Sequence, residues 1–199
     1  MGGMATATKP PLLRMSVSEF LTWEPDDRSV HAWQLIDGEP VAMAPASQTH
    51  ALIQAELAAL LRNHLLERGS PCRIASEAGV VPKIRADRNY RIPDLAVTCV
   101  PATSDHMLPD PVLVIEILSP SNEIETWANV WAYATIPSVR EILVVHSTRV
   151  EVELLRRGAD GQWPDKPEMI GADVAVMLDS IGFQAVLQKF YRTTHLSGP

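Results

Sequence analysis

Arg91-Ile-Pro-Asp-Leu-Ala-Val97 and, on a second apolar run, Val112-Leu-Val-Ile-Glu-Ile-Leu-Ser-Pro-Ser121 each read as a buried β-strand opened or interrupted by a carboxylate. An ionised carboxylate in such surroundings is costly unless it is paired, hydrogen-bonded or bound to a cation. Asp94 and Glu116 on neighbouring strands therefore point to a divalent-metal site. The structural alternative for Asp94, behind a proline, is a turn cap at a strand end. Glu116, inside Val-Leu-Val-Ile-Glu-Ile-Leu, is harder to explain by structure alone.

The surrounding pattern mixes helix and strand signals. Ser16-Val-Ser-Glu-Phe-Leu-Thr22 predicts a short helix with a capping box between Ser16 and Glu19. Trp33 to Met43 reads as two strands around Asp37-Gly38, a dipeptide suited to the left-handed torsions of a tight hairpin. From Ser47 to Arg68, Leu52, Ile53, Leu57, Leu60, Leu61, Leu65 and Leu66 recur at helical spacing, and Gly69 stops the run. Short strands follow at 72–75 and 79–84. The two carboxylate-bearing runs come next, at 92–100 and 112–118, joined by a proline-rich loop over 101–111. A helix capped by Asn122, with Glu125 at its third position, runs to Ala134. Residues 141–146 and 150–155 predict a hairpin, 173–178 an edge strand and 183–191 a closing helix. Asp26-Asp27 and Asp160-Gly161 read as turns. No repeat or linker divides the chain, so the expectation is a flexible leader over 1–15, one domain over 16–192 and a tail over 193–199. The fold class is α/β, a central mixed β-sheet flanked by helices, with an added N-terminal helix and hairpin.

Composition sets limits on function. A chain of 199 residues, 46% hydrophobic and 21% charged, suits one soluble globular domain. No run approaches the roughly 20 apolar residues of a membrane span, and the start lacks the apolar core of a signal peptide, so the expected location is cytoplasmic. A formal net charge of −7 argues against broad, non-specific attachment to nucleic acid, which relies on Lys and Arg to neutralise phosphates. A local basic groove is still compatible with it. The best stretch is Lys83 to Arg91, whose simpler reading is a solvated loop. Cys72 and Cys99 lie in apolar, strand-like surroundings without zinc-ligand spacing. They read as buried thiols in a reducing cytosol rather than a disulfide.

Leu35-Ile-Asp-Gly-Glu39, Pro45, His50, Ile92-Pro-Asp94, Ile115-Glu-Ile-Leu-Ser-Pro-Ser121, Tyr133 and Val139-Arg-Glu-Ile-Leu-Val144 follow one another along nearly the whole chain. With Pro93-Asp94 ahead of Glu116, this order resembles the PD-(D/E)xK nuclease core. More closely it resembles the Uma2 family (also called DUF820), restriction-endonuclease-like proteins of bacteria. The resemblance implies a restriction-endonuclease-like core and a metal-dependent endonuclease that hydrolyses nucleic-acid phosphodiesters as a homodimer. Asp94, Glu116 and the carbonyl of Ile117 would hold Mg²⁺ or Mn²⁺. Gln34, His50 and Asn129 would occupy supporting catalytic positions, with Glu39 and Glu77 beside them.

Two of those positions depart from the family's pattern. Gln34 stands where the family usually has Glu, and it keeps a carbonyl oxygen but loses the charge. Asn129 stands where the family has lysine, with Glu125 where it often has Asp. Asn supplies no full positive charge, and losing such a group typically costs about 10²–10⁴ in rate. Lys83, on a neighbouring strand, is the substitute the sequence offers. His50, at a helix start, reads first as a cap or surface residue and second as catalytic. Trp127 and Trp131, at helical spacing, read as core or dimer-interface packing. Two functions stay open: a nuclease weakened by Gln34 and Asn129, and an inactive relative that keeps the fold as a binding or dimerisation module. A hydrolase of small phosphate esters would use the same carboxylates.

Overall fold

The computed structural model describes residues 14–25, 32–101, 106–120 and 122–197; the Asp26-Asp27 pair, most of the leader and Ser121 lie outside these residues. Helix α1 (Val17–Phe20) carries the expected capping box. Ser16 Oγ accepts from the Glu19 N–H, and Glu19 Oε2 accepts from the Ser16 N–H. Strands β1 (Trp33–Ile36) and β2 (Glu39–Ala42) pair antiparallel about Asp37 and Gly38, whose φ angles of 51° and 88° are both left-handed. Helix α2 (Gln48–Glu67) starts at Ser47, whose hydroxyl accepts from the His50 N–H, and Gly69 ends it at φ 59°. The cap is thus Ser47 and not His50.

The main sheet contains β3 (Arg73–Ser76), β4 (Leu95–Thr98), β5 (Pro111–Leu118), β6 (Glu141–His146), β7 (Glu151–Arg156) and β8 (Glu168–Gly171), side by side in that order. Only β5 and β6 are parallel. Parallel neighbours need a crossover, and helix α3 (Glu123–Tyr133) provides it. Alternation along β5 then decides what each helix meets. Leu113, Ile115 and Ile117 face α2, where Ile53, Leu57 and Leu61 are fully buried against them. Each such side chain contributes roughly 1.5–3 kcal/mol by leaving water. Val114 and Leu118 belong to the opposite cluster with Val130 and Tyr133 of α3, and Glu116 shares their side. A carboxylate thus enters the apolar layer beneath α3. A third cluster, Met15, Phe20, Leu35 and Tyr90, packs the N-terminal helix and hairpin.

Four sequence expectations need correction. Residues 79–84 form no strand. Val80 makes an isolated bridge with Arg91, Pro82 has no N–H for a ladder, and 83–88 is an exposed turn in which Arg85 has φ 45°. Lys83 therefore lies on a turn. Asn122 does not cap α3 with its side chain; its Oδ1 accepts from the Ser119 N–H and hydroxyl, closing the preceding loop. The strand expected at 173–178 is β9 (Ala175–Leu178), which leaves the main sheet to pair with β10 (Phe183–Val186); the sheet edge is β8. The closing helix at 183–191 is β10 followed by a 3₁₀ turn, Leu187–Tyr191. Short apolar runs suit both periods, and Gly182, at φ 62°, tightens the turn that makes the hairpin.

The thiol reading is also overturned. Arg73 faces Thr98 across β3 and β4, so Cys72 and Cys99 come next in register and are joined by a disulfide. No single-sequence pattern shows that register. The bond closes a separation of 27 residues, and such a loop contributes about 3 kcal/mol. Reduction, or Cys99→Ser, is expected to lower the melting temperature by about 10 °C. Alkylation before and after reductant checks the bond itself: two thiols that react without reductant would remove it. Among the described residues no helix is long and apolar enough to cross a membrane.

Candidate active site

Glu125, Asn129 and Tyr133 follow one another along one face of helix α3, each one turn from the next, Glu125 exposed and the other two buried. Each bonds a different part of the chain. The Tyr133 hydroxyl, fully buried, donates to Glu116 Oε1 at 2.7 Å. Asn129 Oδ1 accepts from Arg91 Nη1 at 2.9 Å, and Glu125 Oε1 accepts from Gln34 Nε2 at 2.6 Å. Arg91 Nη2 also donates to Asn89 Oδ1 at 3.1 Å. Asn89 in turn reaches Asp37 in the hairpin turn, through Nδ2 to Oδ1 at 3.1 Å.

Asp94 sits at the mouth of β4, between the two helical layers. Its Oδ2 accepts from the Ile117 N–H at 2.6 Å and lies 3.2 Å from His50 Nε2. That Ile117 N–H follows Glu116 directly along β5, so the two carboxylates are electrostatic neighbours. Gln54, one turn after His50 on α2, donates to the Asp94 carbonyl at 3.0 Å and to Glu77 Oε1 at 3.3 Å. Glu77 itself, at φ 53°, gives its N–H to the same carbonyl. His50 is buried rather than superficial, with its Nε2 turned toward Asp94.

The electrostatics follow from this crowding. Burial, followed by the neighbouring Asp94 charge, pushes the Glu116 carboxyl well above the ordinary carboxylate range; the Tyr133 hydrogen bond opposes that only in part. Burial also pushes the Tyr133 hydroxyl well up, with the Glu116 charge adding to it. Of the eight buried polar atoms without a hydrogen-bond partner among the described residues, three belong to this neighbourhood: Gln34 Oε1, His50 Nδ1 and Arg91 Nε. Orphans of this kind are rare in folded proteins, and an ion or water is one of the partners that satisfies them.

The sequence candidates Asp94, Glu116, Ile117 and His50 converge, and Asn129 stands one turn along α3 from the tyrosine that holds Glu116. Gln34 is engaged by Glu125; among the described residues no bond joins it to Asp94 or Glu116. Glu39 pairs loosely with Arg14 at 3.9 Å, whereas Glu77 does neighbour Asp94. Trp127 packs against the α3-side core, and Trp131 is half-exposed at 48%. The sequence reading missed Arg91, counted there within a solvated basic loop but buried at 6% exposure, and Gln54. The only sequence signal for Arg91 is its place two residues before Pro93-Asp94.

The donor set suits a hard divalent cation. Two neighbouring carboxylates repel each other unless a proton or a cation lies between them, and both offer oxygen. Among the described residues no group of three or more His, Cys, Asp or Glu forms a ready-made cage. Magnesium-type sites commonly use one or two carboxylates, with water and substrate phosphate completing the shell.

Comparison with known proteins agrees with this architecture. The Uma2 family model, described as "Putative restriction endonuclease", matches residues 17–186. The uncharacterized protein slr1290 of Synechocystis sp. is 34% identical over 163 residues, covering 80% of this chain and 83% of that protein. A crystal structure described as "a putative nuclease belonging to DUF820", from Anabaena variabilis, shares the fold at a TM-score of 0.72. That match covers 89% of this chain and 97% of the other at 17% sequence identity, so it speaks for the fold alone. The expected α/β architecture, a central mixed sheet with flanking helices, is the one observed.

Proposed function

The chain belongs to the Uma2 family, and from that premise we propose that it is a divalent-metal-dependent endonuclease with Asp94 and Glu116 at its centre. The observation that carries the reading is the close placement of two carboxylates: Asp94 accepts from the Ile117 N–H, one residue along β5 from Glu116, which is buried under α3 and held by Tyr133. A fold keeps such a pair at a cost in stability, and a cation repays it.

Asp94, Glu116 and the Ile117 carbonyl would hold Mg²⁺ or Mn²⁺. When bound, such an ion polarises a phosphodiester and lowers the pKa of water. The chain's own residues prepare the rest. The Ile117 N–H and His50 fix one oxygen of Asp94, and Tyr133 fixes one oxygen of Glu116, so each carboxylate keeps its other oxygen for ligation. In the overall reaction water attacks phosphorus, the P–O bond to one nucleoside breaks, and the departing oxygen takes up a proton. Cleavage of both strands of a duplex takes two such sites, which a homodimer supplies. The proposed substrate puts the protein in the cytoplasm, where the Cys72–Cys99 bond faces reduction.

The test is calorimetric titration with Mn²⁺, with and without an oligonucleotide, beside cleavage assays on single- and double-stranded DNA and RNA. About one ion per chain, lost in Asp94→Ala with the fold retained, is the expected result. Neither binding nor cleavage at millimolar Mn²⁺ would sink the reading and favour an inactive relative that serves as a binding module.

A further inference from the structure

Arg91 is 94% buried, yet among the described residues it makes no ion pair with a carboxylate. Its guanidinium donates only to two neutral amide oxygens, Asn129 Oδ1 and Asn89 Oδ1, and its Nε has no partner. Buried cations are ordinarily paired, because desolvation costs several kcal/mol. Asp37, Glu125 and Glu116 all lie within electrostatic reach of Arg91, and it bonds none of them. A guanidinium present only to neutralise Glu116 would hold that carboxylate directly, in the fork geometry that Arg favours. Its contacts serve the asparagines instead.

The consequence for Asn129 is geometric. With Oδ1 turned to Arg91, the amide nitrogen must point the other way. That nitrogen makes no hydrogen bond among the described residues, and it is not one of the fully buried atoms left without a partner. Asn129 lies one helical turn from Tyr133, which holds Glu116. We propose that Arg91 is a positioning residue that makes Asn129 the site's phosphate-facing donor: it fixes the amide so that both Nδ2 hydrogens face the scissile group, and it relays positive charge through the Asn129 carbonyl. A charge-assisted hydrogen bond at Oδ1 polarises the amide and strengthens its N–H donors. The site then has a cationic element without a lysine or arginine touching the substrate. This inference rests on the nuclease reading for the identity of the substrate, a phosphodiester, but the amide's orientation and its response to phosphate stand apart from cleavage.

The test has two independent readouts. In single-turnover cleavage of an oligonucleotide with Mn²⁺, Arg91→Met is expected to slow the reaction by about 10²-fold or more. Adding Asn129→Lys to Arg91→Met should bring the rate back to within about tenfold of the parent protein, because an ammonium then supplies the charge directly. Asn129→Lys alone, set against Arg91, should stay slow. A purely structural arginine would not be rescued by a lysine at 129. Arg91→Lys, which keeps the charge and can still hold one asparagine, covers the case in which Arg91→Met fails to fold. In the second readout, the Asn129 side-chain amide is followed by ¹⁵N-correlated NMR while inorganic phosphate is added to the protein in Mg²⁺. Its two proton signals should move in the parent protein, move less in Arg91→Lys and stay still in Arg91→Met. If the parent cleaves nothing yet this amide responds to phosphate, the nuclease reading fails and the relay stands. If the parent cleaves while the double variant is no better than Arg91→Met, or the amide is silent to phosphate, the relay is overturned and the nuclease reading survives.

Discussion

Glu116→Gln is expected to make the metal-free protein more stable at pH 8 and to abolish its response to Mn²⁺. Both halves follow from one carboxyl. Glu116 is buried beside Asp94, and its folded-state pKa is raised well above the ordinary value, first by burial and then by that neighbour's charge. In the unfolded chain a glutamate titrates near about 4.3. The native state therefore binds the extra proton across the window between about 4.3 and the folded value, and linkage makes stability fall as pH rises through it. The contribution is complete below that window and is gone once the pH passes the folded-state pKa. Within the window the slope reaches about 1.4 kcal/mol per pH unit. A glutamine keeps the acceptor for Tyr133, can donate toward Asp94 and has no charge to desolvate. Thermal melts in chelator at pH 5 and pH 8 should show the parent losing stability between them and the variant nearly flat. Calorimetry with Mn²⁺ should show no binding to the variant. A variant as pH-sensitive as the parent would mean that Glu116 is not the group whose proton the fold retains. The trade is the usual one for a reactive centre, where stability is given up for a charge that only the ligand satisfies.

Glu141→Ala is expected to cost about 2–4 kcal/mol, the sum for two backbone donors that lose their buried acceptor. Glu141 is 1% exposed at the start of β6. Its Oε1 accepts from Arg156 Nε at 2.8 Å and from the Asp179 N–H at 3.1 Å; its Oε2 accepts from the Ser180 N–H at 2.8 Å. One carboxylate thus ties the turn of the β9–β10 hairpin to the central sheet. Alanine leaves two backbone donors without their acceptor, while Arg156 keeps Asp179 and the Met177 carbonyl. The melting temperature should fall by about 10 °C, read by calorimetry, and the denaturant midpoint should fall with it. Glu141→Gln, which keeps one acceptor, should lose distinctly less. A loss under about 1 kcal/mol in the alanine variant would mean that the hairpin is held by Val176, Leu178 and Phe183 instead.

What the sequence made legible has a physical pattern. The Asp37-Gly38 hairpin, α2 and β5 announce themselves because each is specified locally, by torsional preference, by leucine spacing or by an unbroken apolar run. Asp94 and Glu116 were visible for the converse reason, as charges where apolar residues belong. Nothing local identified the bonds that give those charges their surroundings. Arg91 and Asn129 meet across 38 residues, and an arginine within Lys83 to Arg91 looks like any other solvated cation until the fold turns it inward. The Cys72–Cys99 bond depends on strand register, which neither cysteine's neighbours encode. Residues 79–84 show the opposite error, since an apolar run was read as a strand although Pro82 cannot donate to a ladder.

Helix α3 also determines where this chain can change length. Glu125, Asn129 and Tyr133 each hold a distant segment: the first hairpin through Gln34, the approach to β4 through Arg91, and β5 through Glu116. Removing one residue between Glu125 and Asn129 would turn one end of the helix by about 100° against the other, so the three grips could not all be kept. A residue gained in the exposed turn at 158–161 changes no such alignment. Insertions and deletions along this lineage should therefore collect in its turns, while the register of eleven helical residues stays fixed.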